Sequence, residues 1–267
     1  MDSSHQKRVL TGALLLLVPA AGLYFGGWVM VAVLVLFCGL ALWEYLSLFW
    51  PQGRLNLKVQ AVVCAALLLA AFETQSPVWI ALALLAAFWC AGFGFLFNYS
   101  KKPEDADFRD AAITLAGLLY LPVTFQFFLR FSALETILII LAAAVSDTAA
   151  FYAGTHLGKR KIWPRISPKK SWAGSVGSVL GCMALCLGMG LSLGQAPWWA
   201  FLILGVWLNA AAQMGDFFES ALKRALDVKD SGKLLPGHGG ILDRIDSLLL
   251  LIPAYALART ILPFFGQ

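Results

Sequence analysis

Residues 198–224 read WWAFLILGVWLNAAAQMGDFFESALKR and give the clearest indication of the fold class. It begins with an apolar run, and about 20 apolar residues are enough for a helix to cross the hydrocarbon core of a bilayer. Polar side chains then recur at steps of four, three, four and three residues, which places them along one face of a helix. The stretch therefore predicts a membrane-spanning helix over 198–222 with one polar stripe. The stripe consists of Asn209, Gln213, Asp216, Ser220 and Lys223.

The composition of the whole chain points to the same solvent. The 267 residues are 60% hydrophobic and 13% charged, whereas a soluble domain carries about 25% charged residues. So little charge cannot cover the surface of a soluble protein, and lipid is the predicted solvent for most of the chain. A net charge of +5 can indicate a nucleic-acid partner, but in a membrane protein it indicates orientation, because Lys and Arg concentrate in cytoplasmic loops. We therefore expect no nucleic-acid partner.

The rest of the chain divides into similar apolar runs. The predicted fold class is all-α, a polytopic bundle of about nine membrane-spanning helices. We expect one integral membrane domain over 1–267, with N-terminal helices in 1–131 and the functional helices and loops in 132–267. Gly177 and Gly181 predict close packing between helices. The predicted spans are 9–25, 28–50, 57–72, 78–97, 111–131, 133–152, 172–193, 198–222 and 241–264.

The charges between these runs predict the orientation. Threading nine spans through a membrane leaves only Arg130 and Arg259, of the 20 Lys and Arg residues, on the second side. Because cytoplasmic loops are enriched in these residues, the N-terminus is predicted to be cytosolic. The expected location is a bacterial inner membrane, with the functional site facing the cytosol.

Apart from Glu44, five acidic residues lie in the cytosolic half of the predicted spans or at its boundary. A charged side chain at the centre of a spanning helix costs about 2.5–3.5 kcal/mol on insertion scales, so it is rare without a partner or a task. Hydrogen bonding between helices would explain Asn209 and Gln213, but it explains carboxylates poorly. Glu44 stands alone near the same side and is expected to reach the interface by itself. The five are Asp147, Asp216, Glu219, Asp243 and Asp246.

Asp243 and Asp246 are three residues apart, so a helix projects both from one face. Two such carboxylates repel each other unless a cation lies between them. With Asp216 they form the predicted metal site, because Mg²⁺ prefers oxygen ligands and binds where substrate phosphates supply some of them. The alternative is a cluster of ion pairs with Lys223, Arg224 or Arg244.

Two loops supply groups suited to phosphates. Residues 236–240 read PGHGG and lead into the last span; N–H groups at a helix N-terminus bind anions, and His238 can bind phosphate or transfer a proton. A flexible turn is the alternative reading of this loop. In the other loop, 167–172 reads SPKKSW. Two compatible roles are open for Lys169 and Lys170 there: neutralising phosphates at the mouth of the site and attracting anionic lipid headgroups.

Three blocks together resemble the signature of the phosphatidate cytidylyltransferases, also called CDP-diacylglycerol synthases: 220–224 (SALKR), 229–230 (KD) and 235–246 (LPGHGGILDRID). Further segments look like other blocks of that family: 146–147 (SD), 167–170 (SPKK) and 213–216 (QMGD). The resemblance covers residues 146–246. One departure is Ala173, where the resemblance leads us to expect an acidic residue.

The resemblance implies a reaction with its partners. Phosphatidate and CTP would give CDP-diacylglycerol and pyrophosphate, with Mg²⁺ and a monovalent cation such as K⁺, in a homodimer within the lipid bilayer. Asp216, Asp243 and Asp246 would hold the metal ions. The other catalytic residues would be Lys223, Arg244 and His238. The substrate-binding residues would be Asp147, Ser167, Lys169, Lys170, Ser220, Arg224, Gly239 and Gly240.

Two other functions stay open on the sequence alone. An ion-coupled transporter would bind a translocated cation at Asp147 and Asp216, but such sites lie near the middle of the membrane, and these carboxylates lie toward the cytosol. Another lipid enzyme that uses CTP, such as a polyprenol kinase or an archaeol-type cytidylyltransferase, needs similar groups. The product distinguishes a kinase, because a kinase releases CDP rather than pyrophosphate.

Overall fold

The computed structural model describes residues 3–232, 234 and 239–266, and every regular element in these ranges is helical. The α-helices are α1 (Ser3–Phe25), α2 (Gly27–Phe49), α3 (Leu55–Glu73), α4 (Pro77–Lys101), α5 (Arg109–Tyr120), α6 (Pro122–Phe125), α7 (Ala133–Leu157), α8 (Trp172–Leu193), α9 (Trp198–Ala225) and α10 (Leu242–Ile261). Two 3₁₀ turns, Pro103–Asp105 and Gln126–Leu129, precede α5 and follow α6. The all-α prediction is confirmed.

Seven segments in the described ranges are long and apolar enough to cross a membrane. They are α2, α3, α4, Arg109–Leu129, α7, α8 and α9. The prediction of a polytopic membrane protein is confirmed. The apolar part of α1, Gly12–Phe25, is shorter, and α10 is not among the seven, so the count of nine spans and the cytosolic N-terminus stay predictions.

The fifth predicted span, 111–131, is not one continuous helix. α5 ends at Tyr120 and α6 begins at Pro122. Proline has no N–H to donate and disfavours the helical conformation in the residue before it. Leu121 closes α5 by donating its N–H to the carbonyl of Gly117 at 3.0 Å. The segment Arg109–Leu129 is therefore built from α5, α6 and the second 3₁₀ turn in succession.

The chain forms two compact units, each made of two stretches of sequence. The first unit comprises Met1–Leu129 and Asp230–Arg244, and the second comprises Arg130–Lys229 and Ile245–Gln267. The loop that precedes α10 thus belongs with the N-terminal helices. The single membrane domain over 1–267 stays a prediction.

In the first unit, α2, α3, α4 and α5 pack against one another. Leu42 on α2 and Leu68 on α3 are buried in its core. Gly117 allows α5 to lie close to α2, because a Cβ at this position would come within 2.8 Å of the side chains of Leu42 and Tyr45. A larger residue there would push the two helices apart.

In the second unit, α7, α8 and α9 pack through small residues, as predicted for Gly177 and Gly181. A Cβ on Gly181 would lie 3.0 Å from the Cβ of Ala149 on α7. A Cβ on Gly205 of α9 would lie 2.6 Å from the Cα of Met183 on α8. Lipid supplies no hydrophobic driving force between helices. The close approach of these backbones provides van der Waals attraction instead.

A buried polar cluster joins the same three helices. The hydroxyls of Ser146 on α7 and Ser178 on α8 lie 2.8 Å apart. Ser146 also donates a hydrogen bond of 3.1 Å to the side-chain carbonyl of Asn209 on α9. The hypothesis of hydrogen bonding between helices is confirmed for Asn209. This cluster ties α7, α8 and α9 to one another inside the second unit.

Candidate active site

A cavity of about 560 Å³ lies within the second unit. Its walls come from α7, from the loop between α7 and α8, and from one face each of α8 and α9. Polar groups of both charges line it, and their convergence marks it as a candidate binding site. The polar lining residues are Ser146, Asp147, Thr155, Lys161, Lys169, Lys170, Ser171, Ser175, Gln213 and Asp216.

The loop between α7 and α8 folds back on itself and presents its lysines to the cavity. Lys161 and Ser171 form an antiparallel bridge, and Trp172 donates its N–H to the carbonyl of Arg160 at 3.0 Å. Ser171 caps α8 by accepting a 3.2 Å hydrogen bond from the N–H of Gly174. The loop backbone is therefore held at both ends. This fixes the positions from which the side chains before α8 extend into the cavity.

Lys170 forms an ion pair with Asp216 across the cavity. The two side chains are 24% and 22% exposed, so both remain accessible to a ligand. The Lys170 ammonium also lies over the ring of Phe217, 4.3 Å from its centroid. Attraction to the ring face holds the lysine near Asp216 even when the carboxylate has another partner.

The polar stripe of α9 continues below this pair. The hydroxyl of Ser220 donates to Asp216 at 3.2 Å, and the hydroxyl of Ser175 on α8 donates to Gln213 at 2.6 Å. One turn further, Lys223 and Glu219 are buried together, with 3.0 Å between the ammonium and a carboxylate oxygen. Each member of the stripe predicted from the sequence thus has a polar partner, on α9 itself or on a neighbouring helix.

Asp246 brings a third carboxylate into the same environment. α10 lies against α9 at Gly215, where a Cβ would come within 2.7 Å of the carbonyl oxygen of Asp246. The Asp246 carboxylate interacts electrostatically with Asp216, Asp147 and Lys223. Three acidic groups thus converge with one buried lysine beside them. Lys170 and Lys223 offset part of the repulsion between these carboxylates, and a bound metal ion would offset more of it.

The donor set suits a hard divalent cation that shares its ligands with a substrate. Mg²⁺ takes oxygen ligands and is commonly bound by one or two carboxylates together with substrate phosphates. Asp216 and Asp246 supply such carboxylates. Among the described residues, no three His, Cys, Asp or Glu side chains form a metal-binding group by themselves. The assignment of Asp216, Asp243 and Asp246 to metal ions stays a prediction.

Asp243 has a different set of partners from Asp216 and Asp246. Its carboxylate accepts the N–H of Ser231 at 3.0 Å and the N–H of Gly240 at 3.1 Å. These bonds lie within the first unit and tie the loop before α10 to the first turn of that helix. Gly239 in this loop has φ +84°, a backbone conformation that favours glycine.

A second, more apolar cavity of about 320 Å³ adjoins the first. The two share Ile162, Ser175 and Gln213 as lining residues. The second cavity is otherwise lined mainly by apolar and aromatic side chains of the loop, α8 and α9. They are Trp163, Trp172, Val179, Val206, Ala210, Met214 and Phe217.

The model of the cytidylyltransferase family matches residues 6–262. The chain belongs to this family. It is similar to the phosphatidate cytidylyltransferase of Staphylococcus epidermidis, with 32% identity over 251 residues that cover 92% of this chain and 95% of that protein. It is also similar to the phosphatidate cytidylyltransferase of Staphylococcus saprophyticus, with 32% identity over 252 residues, 92% of this chain and 95% of that protein. The enzyme of the same name from Bacillus subtilis is 41% identical over 148 residues, 53% of this chain and 55% of that protein.

Membership in the cytidylyltransferase family confirms the resemblance on which the site residues were assigned. Four of those residues line the main cavity: Asp147, Lys169, Lys170 and Asp216. Ser220 contacts Asp216, and Lys223 lies one turn further along α9.

The other assigned residues are not among the lining residues of this cavity. Ser167 donates its N–H to the carbonyl of Trp163 at 2.9 Å within the loop and is not a lining residue. Arg224 is exposed and donates to the carbonyl of Val228 at 3.3 Å. Gly239, Gly240, Asp243 and Arg244 belong to the first unit. His238 lies outside the described residues.

Sequence reasoning missed several residues of this cytidylyltransferase. Lys161, Ser175 and Gln213 line the cavity, and the helical spacing of Gln213 from Asp216 was the available signal. The expectation that Glu44 reaches the membrane interface alone is wrong: its side chain is only 2% exposed. Hydrogen-bond donors from the loop before α10 reach one of its carboxylate oxygens, Oε2, inside the first unit.

Proposed function

We propose that this membrane protein condenses phosphatidate with CTP to give CDP-diacylglycerol and pyrophosphate. The observation that carries the proposal is the cavity in which Lys170 and Asp216 meet beside a second, apolar cavity. A lipid phosphate and a soluble nucleotide need such a place, with cations for phosphates on one side and an apolar surface on the other. The names of the bacterial relatives support the same reaction.

The chemistry follows from the charges of the two substrates. An oxygen of the phosphatidate phosphate attacks the α-phosphorus of CTP, and a new P–O bond forms. The bond from the α-phosphorus to the oxygen that bridges it to the β-phosphorus breaks, and pyrophosphate leaves with that electron pair. Phosphatidate is already an anion, so no side chain has to remove a proton from it. In this scheme His238 binds phosphate.

The cavity lysines supply positive charge where the transition state gathers negative charge. Lys161, Lys169 and Lys170 all line the cavity. Lys170 exchanges Asp216 for a phosphate oxygen, while Phe217 keeps its ammonium in place. Fixed cations at a water-poor site stabilise developing charge more strongly than solvent does.

Mg²⁺ is the proposed cofactor, with K⁺ as a monovalent companion. Asp216 and Asp246 would hold Mg²⁺, with Asp147 within electrostatic reach and Asp243 as the further predicted ligand. When bound, Mg²⁺ neutralises phosphate charge and orients the triphosphate. In this scheme Asp216 pairs with Lys170 in the free protein, as in the structure, and would bind Mg²⁺ when the substrates are present.

The second cavity is the proposed place for the glycerol and the first acyl carbons of phosphatidate. Its aromatic and aliphatic lining accepts hydrocarbon, and the shared wall of Ser175 and Gln213 brings the lipid phosphate next to the lysines. Trp163 and Trp172 suit the level of the lipid headgroups, since amphipathic rings concentrate there.

The remaining parts of the proposal concern location and assembly. The site lies on the cytosolic side of a bacterial inner membrane, because its loop between α7 and α8 carries four basic residues and basic loops stay in the cytosol. They are Lys159, Arg160, Lys161 and Arg165. Two copies of the chain form the active protein, as the family resemblance implies.

The test is incorporation of labelled CTP into chloroform-soluble lipid by the purified, monodisperse protein, with and without phosphatidate. The proposal expects lipid product only with phosphatidate, release of one pyrophosphate per product, and a requirement for Mg²⁺ that is lost with a chelator. Release of CDP instead of pyrophosphate would indicate a lipid kinase. If folded protein incorporates no label, the proposed enzyme function is wrong and an ion-coupled transporter becomes the favoured hypothesis.

A further inference from the structure

Glu44 on α2 is a buried acid that lies outside the cavity and that no step above uses. Its side chain is 2% exposed, and it belongs to the first unit together with the loop before α10. A carboxylate in such a place is costly unless hydrogen bonds replace the water it has lost. The identity of its partners therefore indicates what the residue does.

Within the described residues, the hydrogen bonds to Glu44 go to Oε2 and come from residues on either side of 233–238, whereas Oε1 is buried without a partner there. The N–H of Leu242 donates to Glu44 Oε2 at 2.9 Å, and the hydroxyl of Ser231 donates to the same oxygen at 3.3 Å. Ser231 and Gly240 in turn donate their N–H groups to Asp243. Glu44 and Asp243 thus hold the beginning and the end of the loop together from opposite sides.

The shape of the loop around Glu44 confirms that the fit is close. A Cβ at Gly232 or at Gly240 would collide with the Glu44 carboxylate. Two glycines of the loop therefore lie directly against one side chain that is about 200 residues away in sequence. A side chain at Gly232 or Gly240 would therefore displace the Glu44 carboxylate from its present position.

A purely structural tie would not need this chemistry. The carboxylates of Glu44 and Asp243 are close enough to interact electrostatically, which is unfavourable for both. Buried charges are weak contributors to stability, and apolar replacements are often neutral or stabilising. Keeping two acids around one loop suggests that its conformation, rather than the stability of the fold, is what they maintain.

We propose that Glu44 is a positioning residue for the nucleotidyl transfer. It holds residues 239–243 in one conformation, so that the glycine backbone and Asp243 are in place before the substrates bind. This inference rests on the proposed function, because its role is defined by that reaction. Pre-ordering of this kind acts on turnover, since the backbone is then not reorganised in each cycle.

The experiment compares Glu44→Ala and Glu44→Gln with a matched buried acid. Glu135 on α7 is 4% exposed and is bonded to Tyr255 and Arg259 in the second unit, away from the cavity. Glu44→Ala is expected to lower kcat per folded molecule by about tenfold or more, and Glu135→Gln by less than about twofold. The thermal midpoint should fall to a similar extent in both.

The conservative variant separates positioning from charge. Glu44→Gln keeps an oxygen that can accept the Leu242 N–H, so it should recover part of the lost kcat and stay within about fivefold of wild type. Ser231→Ala should lower kcat by about twofold to fivefold, and adding it to Glu44→Gln should cost less than the product of the two single effects. If Glu44→Ala does not accumulate, these two variants carry the test.

Two results would overturn the inference. One is wild-type kcat in folded Glu44→Ala, or in both Glu44→Gln and Ser231→Ala. The other is an equal loss of kcat in Glu135→Gln, which would make the effect one of general destabilisation. Failure of the proposed function is separate, because the wild type would then make no lipid product. In that case hydrogen exchange still tests the positioning role. Glu44→Ala should speed exchange at the amides of Ser231, Gly240 and Leu242, and Glu135→Gln should not. Unchanged exchange in Glu44→Ala would contradict the role.

Discussion

At the scale of single residues, the ion pair of Lys170 and Asp216 joins two distant parts of the sequence. Lys170 comes from the basic loop before α8, and Asp216 from the polar stripe of α9. Each residue has a second contact, Phe217 for the lysine and Ser220 for the aspartate. The pair can therefore open toward a substrate and close again without moving the helices that carry it.

Asp216→Asn should lower kcat by about 10²-fold or more, the scale on which single electrostatic contacts to a transition state act. The amide keeps the shape and the bond from Ser220 but loses the charge that binds a cation. The protein should still fold, because Asp216 is partly exposed and Lys170 retains the Phe217 ring. The measurement is CTP incorporation beside a thermal unfolding scan. Asp107→Asn, at an exposed position, is the control, and wild-type turnover in Asp216→Asn would remove this residue from the metal site.

At the scale of helices, most of the architecture follows from local properties of the sequence. Eight of the nine predicted spans each correspond to one helix, because the length and apolar character of a run are sufficient to favour a helix in lipid. The exception, the break at Pro122, also has a local cause that the apolar run concealed. Contacts between helices are harder to predict from the sequence. Nothing in the residues around Gly205 indicates that Met183 lies against it.

Gly205→Ala should destabilise the second unit. The added Cβ meets the backbone of α8, which cannot move aside as a side chain can, and such overpacking costs about 1–3 kcal/mol. Gly188→Ala on α8 is the matched control, because its Cβ would have no neighbour within 4 Å. Thermal unfolding in detergent measures both. Equal midpoints for the two variants would contradict the close approach of α8 and α9.

Ala210→Phe should fill the second cavity and raise the KM for phosphatidate by about tenfold, while the KM for CTP stays within about twofold. Ala210 lines that cavity and faces outward on α9. Ile203→Phe adds a ring to the same face two turns earlier, outside the cavity, and should change neither KM. Equal effects of Ala210→Phe on both substrates would place the lipid elsewhere.

At the scale of the whole molecule, the site was only partly predictable. Asp216, Lys169 and Lys170 could be found because a charged stripe in an apolar helix and a basic loop are visible in the sequence. The meeting of Asp147 with Asp246 depends on how α7, α9 and α10 pack. Glu44 was misjudged for the same reason, since its partners lie at the far end of the chain. Tertiary contacts of this kind leave no local pattern.

Orientation is the property of the whole molecule that the loop charges predict and that labelling can test. Single cysteines would be placed at Thr74, in the loop between α3 and α4, and at Lys159, in the loop over the cavity; both positions are exposed. If basic loops stay in the cytosol, an impermeant maleimide should label Thr74→Cys in intact cells and Lys159→Cys only after the membrane is opened. The unmodified chain is the blank, because four of its five cysteines are buried and Cys90 is partly covered. Labelling of Lys159→Cys in intact cells would reverse the orientation and place the cavity on the side where no CTP is supplied.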